Sequence, residues 1–156
     1  MTDTRELKQK FWTTLADSPF VFLQLDSDPR GAVPMTAQLD KDAHGSIWFF
    51  TSRTGPFAAG GPATATLAGK GHNLFARFTG TLIEETDTAR LDAEWSPAIE
   101  AWFPGGRDNP DLLMLRMDLG QAEIWNAELG FLDTTKMLLG FDMRQNAAND
   151  HVETAL

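Results

Sequence analysis

Between residues 20 and 125 the chain is a succession of short apolar and β-prone runs, most of them closed by residues that favour turns. FVFLQL at 20–25 is dense enough in apolar residues to be a buried strand, and DSDPRG after it is a turn. Residues 32–39 form a second strand, KDAHG a second turn, and SIWFFTS at 46–52 a third, very apolar strand. Strands joined by such short turns favour an antiparallel meander. The glycines and prolines of 55–62 then predict a loop or a short irregular helix. Residues 64–67 read as a fourth strand and 74–83 as a longer fifth, in which Gly80 marks a bulge or a close backbone approach. Residues 112–119 form the sixth and continue towards Ile124 and Trp125.

Helical periodicity is confined to the flanks and to one insertion. Leu7, Phe11 and Leu15 recur every fourth residue, predicting a helix over 3–17 that Ser18-Pro19 ends, because a residue before proline is pushed out of the helical region. Leu91, Trp95, Ile99 and Trp102 predict helix over 87–103, divided at Pro97. A last helix is expected at about 132–144, interrupted at Gly140, with a tail that frays from Gln145. The sequence is therefore mainly β with peripheral helices. The economical architecture is a closed or partly closed barrel of six or so mostly antiparallel strands, spanning about 20–125 of a single domain over 1–156.

Charge and composition restrict function. A net charge of −9 repels nucleic acid and anionic membranes, and no Lys/Arg cluster offsets it. Any anionic ligand must be held by a local set of donors. The chain has no cysteine, which removes disulfides, thiolate metal sites and a cysteine nucleophile. Its apolar runs are too short to cross a bilayer, and MTDTRELKQK has no apolar region behind its charges, so a cytoplasmic protein is expected.

Motifs of catalysis are sparse. The glycines of GPFAAGGPA have neither the spacing nor the context of a phosphate-binding loop. His44, His72 and His151 form no i, i+4 pair, so no metal site is expected. Glu84, Glu85 and Glu123 remain as acid–base candidates and read more simply as solvated strand and loop residues. Taken this far, the residues describe a barrel of unidentified ligand.

PMTAQ at 34–38, IWFFTSR at 47–53, GKGHNLFARFTGTL at 69–82, and EWSPAIEAWFPGGRDNPDLLMLRMD followed by AEIW across 94–125 resemble, in order and spacing, the general stress protein branch of the pyridoxamine-phosphate-oxidase-like family. The resemblance implies an FMN-binding split β-barrel and a homodimer with two flavin grooves between the subunits. It places Met35, Thr36, Ala37 and Gln38 along the isoalloxazine ring. It places Phe50, Thr51 and Ser52 at the ribityl chain and phosphate, with Arg53 and Lys70 as the cations able to help. Trp125 matches an aromatic position that reaches the partner's groove, whereas Trp12, Trp48, Trp95 and Trp102 fit packing faces. Tight flavin binders of the family carry basic residues where this chain has Val33 and Phe57, which predicts weakened or absent FMN binding.

Two functions follow from the resemblance. One is a flavin-binding protein or flavin-dependent oxidoreductase acting on an unknown small-molecule substrate, the cofactor carrying the electron chemistry. The other is a non-enzymatic dimer whose altered groove holds another small ligand or none. Oxidation of pyridoxamine phosphate itself needs a further anion site, and the relevant segments are short of cations.

Overall fold

A computed structural model describes residues 3–40, 45–127, 137–140, 144 and 150–156. The first element is α1 (Thr4–Asp17), whose free N–H groups at the start are met by the Asp3 side chain accepting from the Arg5 N–H at 3.2 Å. The predicted apolar spacing puts Leu7, Phe11 and Leu15 fully inside, and Phe11 meets Phe78 edge to face at 5.4 Å.

Among the described residues eight strands make one antiparallel sheet: β1 (Phe20–Leu25), β2 (Val33–Thr36), β3 (Gln38–Leu39), β4 (Ile47–Ser52), β5 (Gly61–Ala68), β6 (Leu74–Glu84), β7 (Leu112–Asn126) and β8 (His151–Ala155). The spatial order is β2-β1-β5-β6-β7-β4-β3, with β8 also on β7. The two ends of that order, β2 and β3, are consecutive pieces of chain separated only by Ala37. Residues 33–39 therefore leave the β1 edge and join the β4 edge, closing the barrel by covalent continuity. At the junction the Ala37 N–H leaves the ladder and donates to the Pro19 carbonyl at 2.7 Å. This is the split in the barrel, and the second predicted strand is two for that reason.

Alternation decides what fills the interior. Val21, Leu23 and Leu25 of β1 are buried while Phe20 and Phe22 face out. Ala63 and Ala65 on β5 are small where the rings of Phe11 and Phe78 need room, and Phe49, Leu115 and Met117 complete the centre. Gly80 sits where the β6–β7 register shifts, and a Cβ there would lie 2.5 Å from the Asp118 carbonyl oxygen. The close approach expected from sequence is real, and any side chain at this position would force the strands apart.

Between β6 and β7 run α2 (Thr88–Glu94) and α3 (Pro97–Trp102), divided at Pro97 as expected. Each begins on a capped turn: Asp87 accepts from the Ala89 N–H, and Ser96 from the Ile99 N–H with Pro97 in the first turn. They cover the outer side of β4 and β7, where Ile99, Phe103 and Leu112 form a small second core with Phe50, Leu91 and Trp95 around it. The Arg90 guanidinium lies 4.3 Å above the Trp48 ring, and the Trp48 indole N–H donates to Glu85.

The remaining differences from the sequence reading are physical. β5 begins at Gly61, earlier than expected, because both residues after Gly60 pair with β6 in spite of Pro62. The expectation that the tail frays from Gln145 is corrected at 151–155, which is β8. β7 is much longer than the β4 ladder beside it, so its edge from Gln121 to Trp125 would otherwise stand unpaired. β8 fills that edge, and Val152 and Leu156 pack on the core. Of the helix expected at 132–144, Met137 and Leu138 are helical and Gly140 takes φ 82°; most of the rest lies outside the described residues, as does His44. Among the described residues no helix is long and apolar enough to cross a membrane.

Candidate functional site

The seam at Ala37 opens on the outer side of the barrel into a cavity of about 590 Å³. One wall is Pro34, Met35, Thr36 and Gln38; the second is Phe50, Thr51 and Ser52 at the end of β4; the third is Ser96, Ala98, Ile99, Trp102 and Phe103, with Asp111 closing one end. Local structure explains each wall. β2 turns Pro34 and Thr36 outward because they pair with the outward Phe22 and Phe20. Phe50 points away from the core to meet Trp95 edge to face at 5.8 Å. The capped start of α3 presents Ile99 inward and leaves Trp102 at the rim, 82% exposed.

Six of the residues expected at the site meet here: Met35, Thr36, Gln38, Phe50, Thr51 and Ser52. Ala37 lies between them in sequence but is buried in the core, and it contributes the break in the strand. Arg53 turns away and pairs with Glu84, Nη2 to Oε1 at 2.6 Å. Lys70 is exposed on a single 3₁₀ turn, Lys70–His72, and does not line the cavity. Trp125 is also outside it: the indole faces out from β7, stacks on His151 at 5.2 Å and lies below the Arg77 guanidinium at 5.9 Å. The third wall carries no site signal in the sequence: the spacing of Ile99 and Trp102 predicts the packing face of a helix and is silent about what that face meets. Of the two positions where cations were missed, Val33 is partly exposed on β2, and Phe57 is a core residue at 2% exposure.

The cavity is apolar over Met35, Phe50, Ile99, Trp102 and Phe103 and polar at the Ser52–Asp111 end. There the Ser52 hydroxyl donates to Asp111 Oδ1 at 2.7 Å, and the Thr54 hydroxyl reaches the same oxygen at 3.5 Å. Among the described residues that line the cavity, none is Lys, Arg or His.

Elsewhere, Glu123, His151 and Glu153 bring three potential ligand atoms within 4.8 Å of one another. Glu123 is already engaged there by Arg77 and by the His151 ring.

The fold is a split β-barrel with a cleft of about 590 Å³ on its outer seam. The family model for pyridoxamine 5'-phosphate oxidase like proteins matches residues 6–147, and the chain belongs to that family. Among solved structures it is similar to the general stress FMN/FAD binding protein of Xanthomonas citri at 42% identity, over 82% of this chain and 94% of that one, with a TM-score of 0.76. A protein assigned as general stress protein 26 from Jannaschia sp. CCS1 is 28% identical over 99% of this chain and 100% of that one, with a TM-score of 0.81. Among curated proteins none matches. The resemblance to the general stress branch is thus borne out.

The walls fit one part of FMN and not another. A planar tricyclic ring suits an apolar slot bordered by strand backbone and the Thr36 and Gln38 side chains. A phosphate, carrying about −1.5 to −2 charges at neutral pH, finds a carboxylate and no cation.

Proposed function

We propose that this chain is a flavin-binding protein whose seam cleft takes an isoalloxazine ring between the Pro34–Gln38 segment and α3, with Trp102 over the open side. The observation that carries the reading is a coincidence of position. Of the segments by which the sequence resembles the flavin-binding family, 34–38, 47–53 and part of 94–125 are the ones the fold brings together as the walls of the cleft. The 42% identical protein of X. citri, an FMN/FAD binding protein, supports the same ligand class. A bound flavin supplies two-electron redox chemistry from its own ring, so an oxidoreductase of this kind needs no acid–base dyad from the chain. The chain's part is to hold the ring, exclude water with Phe50, Ile99 and Trp102, and present hydrogen-bonding groups from residues 34–38. The working unit is a homodimer in which the outward Trp125 serves the partner's cleft.

The test is titration of the purified protein with riboflavin, FMN and FAD, followed by flavin fluorescence and the visible absorption bands. Saturable quenching with a band shift, at one flavin per chain, is the expected result. Unperturbed flavin spectra at protein concentrations up to about 1 mM, where binding is worth only about 4 kcal/mol, would remove the reading.

A further inference from the structure

The polar end of the cleft is built to accept hydrogen bonds. The backbone N–H groups of the turn that follows β4, and the Ser52 hydroxyl, are already committed. The Arg53 N–H donates to the Asp111 carbonyl at 2.8 Å, the Thr54 N–H to the Ser52 hydroxyl at 3.1 Å, and the Gly55 N–H to the Ser52 carbonyl at 3.1 Å. The Ser52 hydroxyl gives its proton to Asp111 Oδ1 at 2.7 Å, and the Arg53 guanidinium is held on Glu84. The second carboxylate oxygen, Asp111 Oδ2, accepts no hydrogen bond among the described residues, and Asp111 lines the cavity. Such an end offers an acceptor and a negative charge.

On the flavin reading above, we infer that Asp111 makes the cleft selective for a flavin with an uncharged ribityl tail, riboflavin in preference to its phosphate monoester. A ribityl hydroxyl donates to Asp111 Oδ2 and completes that carboxylate. A phosphate at the same end meets a like charge at close range, and the N–H groups of the turn beside it are already engaged. Discrimination of about tenfold is a modest demand on that repulsion in a partly desolvated cleft. Hydroxyl recognition by an ionised acceptor adds to it in the same direction.

The experiment compares riboflavin, FMN and tail-less lumiflavin, by fluorescence titration, on the wild type and on Asp111→Asn. In the wild type at low salt, riboflavin is expected to bind about tenfold more tightly than FMN and more tightly than lumiflavin. The gap to FMN should narrow as ionic strength rises, since added ions screen the repulsion. Asp111→Asn, which keeps a carbonyl oxygen for Ser52, should tighten FMN by about tenfold and leave lumiflavin unchanged. Equal or tighter binding of FMN by the wild type overturns the inference while leaving the flavin reading intact. So does a variant that shifts all three ligands alike. Failure of all three ligands to bind the wild type removes the flavin reading itself, and this inference with it. If the variant does not fold, the wild-type order of affinities and its salt dependence decide alone.

Discussion

Trp102 keeps 82% of its surface in solvent while one side of the indole lines the cleft. A large ring left uncovered at a cavity rim is poised to gain more from a planar ligand than from anything in its own chain. Trp102→Ala should therefore weaken flavin binding about tenfold, as loss of one ring-on-ring contact and its apolar area does, and move folding stability by no more than about 0.5 kcal/mol. Trp102→Phe should recover part of the affinity. Fluorescence titration and thermal melts on the same samples check both. Trp125, stacked on His151 outside its own cleft, is the contrasting position. At this scale the resemblance located residues that line the cleft, Thr36, Thr51 and Ser52 among them, and failed where burial decides. Phe57 shows why. Resemblance marks it as a lost phosphate contact, yet it is a core residue, so a lysine placed there would bury a charge in the core and not restore a ligand.

The α2–α3 unit builds the cleft's third wall, and its anchoring has a distinctive electrostatic signature. Burial pushes the Glu94 carboxyl above its ordinary range; Arg90, bonded to it at 3.2 Å, pulls the other way, and the Asp40 charge adds to the rise. For a carboxyl raised in this way the folded chain holds its proton at pH values where the unfolded chain has lost it. Stability is then highest below the unfolded value, falls as pH climbs to the raised folded value, and is level above it. That is opposite in sign to the salt-bridged carboxylates usual on protein surfaces. Glu94→Gln, which retains an acceptor for Arg90, should abolish this descent and raise stability at neutral pH by less than about 1 kcal/mol. Denaturant melts of both proteins at several pH values between 4 and 8 measure it. Local pattern was sufficient to place α1, β1, β4 and the break at Pro97, since apolar spacing and proline act within a few residues. It was insufficient for the division of β2 from β3 and for β8. Both follow from which strand edge lies nearby in space, and no short window of sequence contains that information.

The whole molecule exposes Phe20 and Phe22 side by side on β1, at 64% and 53%, next to the outward Pro34 and Thr36 of the cleft. Two phenylalanines beside the ligand wall are a surface that a second copy would bury, and they support the proposed homodimer. Sedimentation at micromolar concentration should give about twice the 17.2 kDa chain mass, and Phe20→Ser with Phe22→Ser should return the monomer without loss of fold. Sequence reading reached the barrel and two of the three walls. The third, residues 96–103, is equally continuous, but its helical spacing reads as packing, and only the folded chain brings it to face β2 and β4. The closure at Ala37 carries one more implication. A ring of strands fastened by a single residue behaves like a clasp, and a molecule lodged between β2 and β4 sits across its two jaws. Occupancy and barrel integrity then become one variable, so the empty form is also the loosest form, the first to be lost to heat or proteolysis.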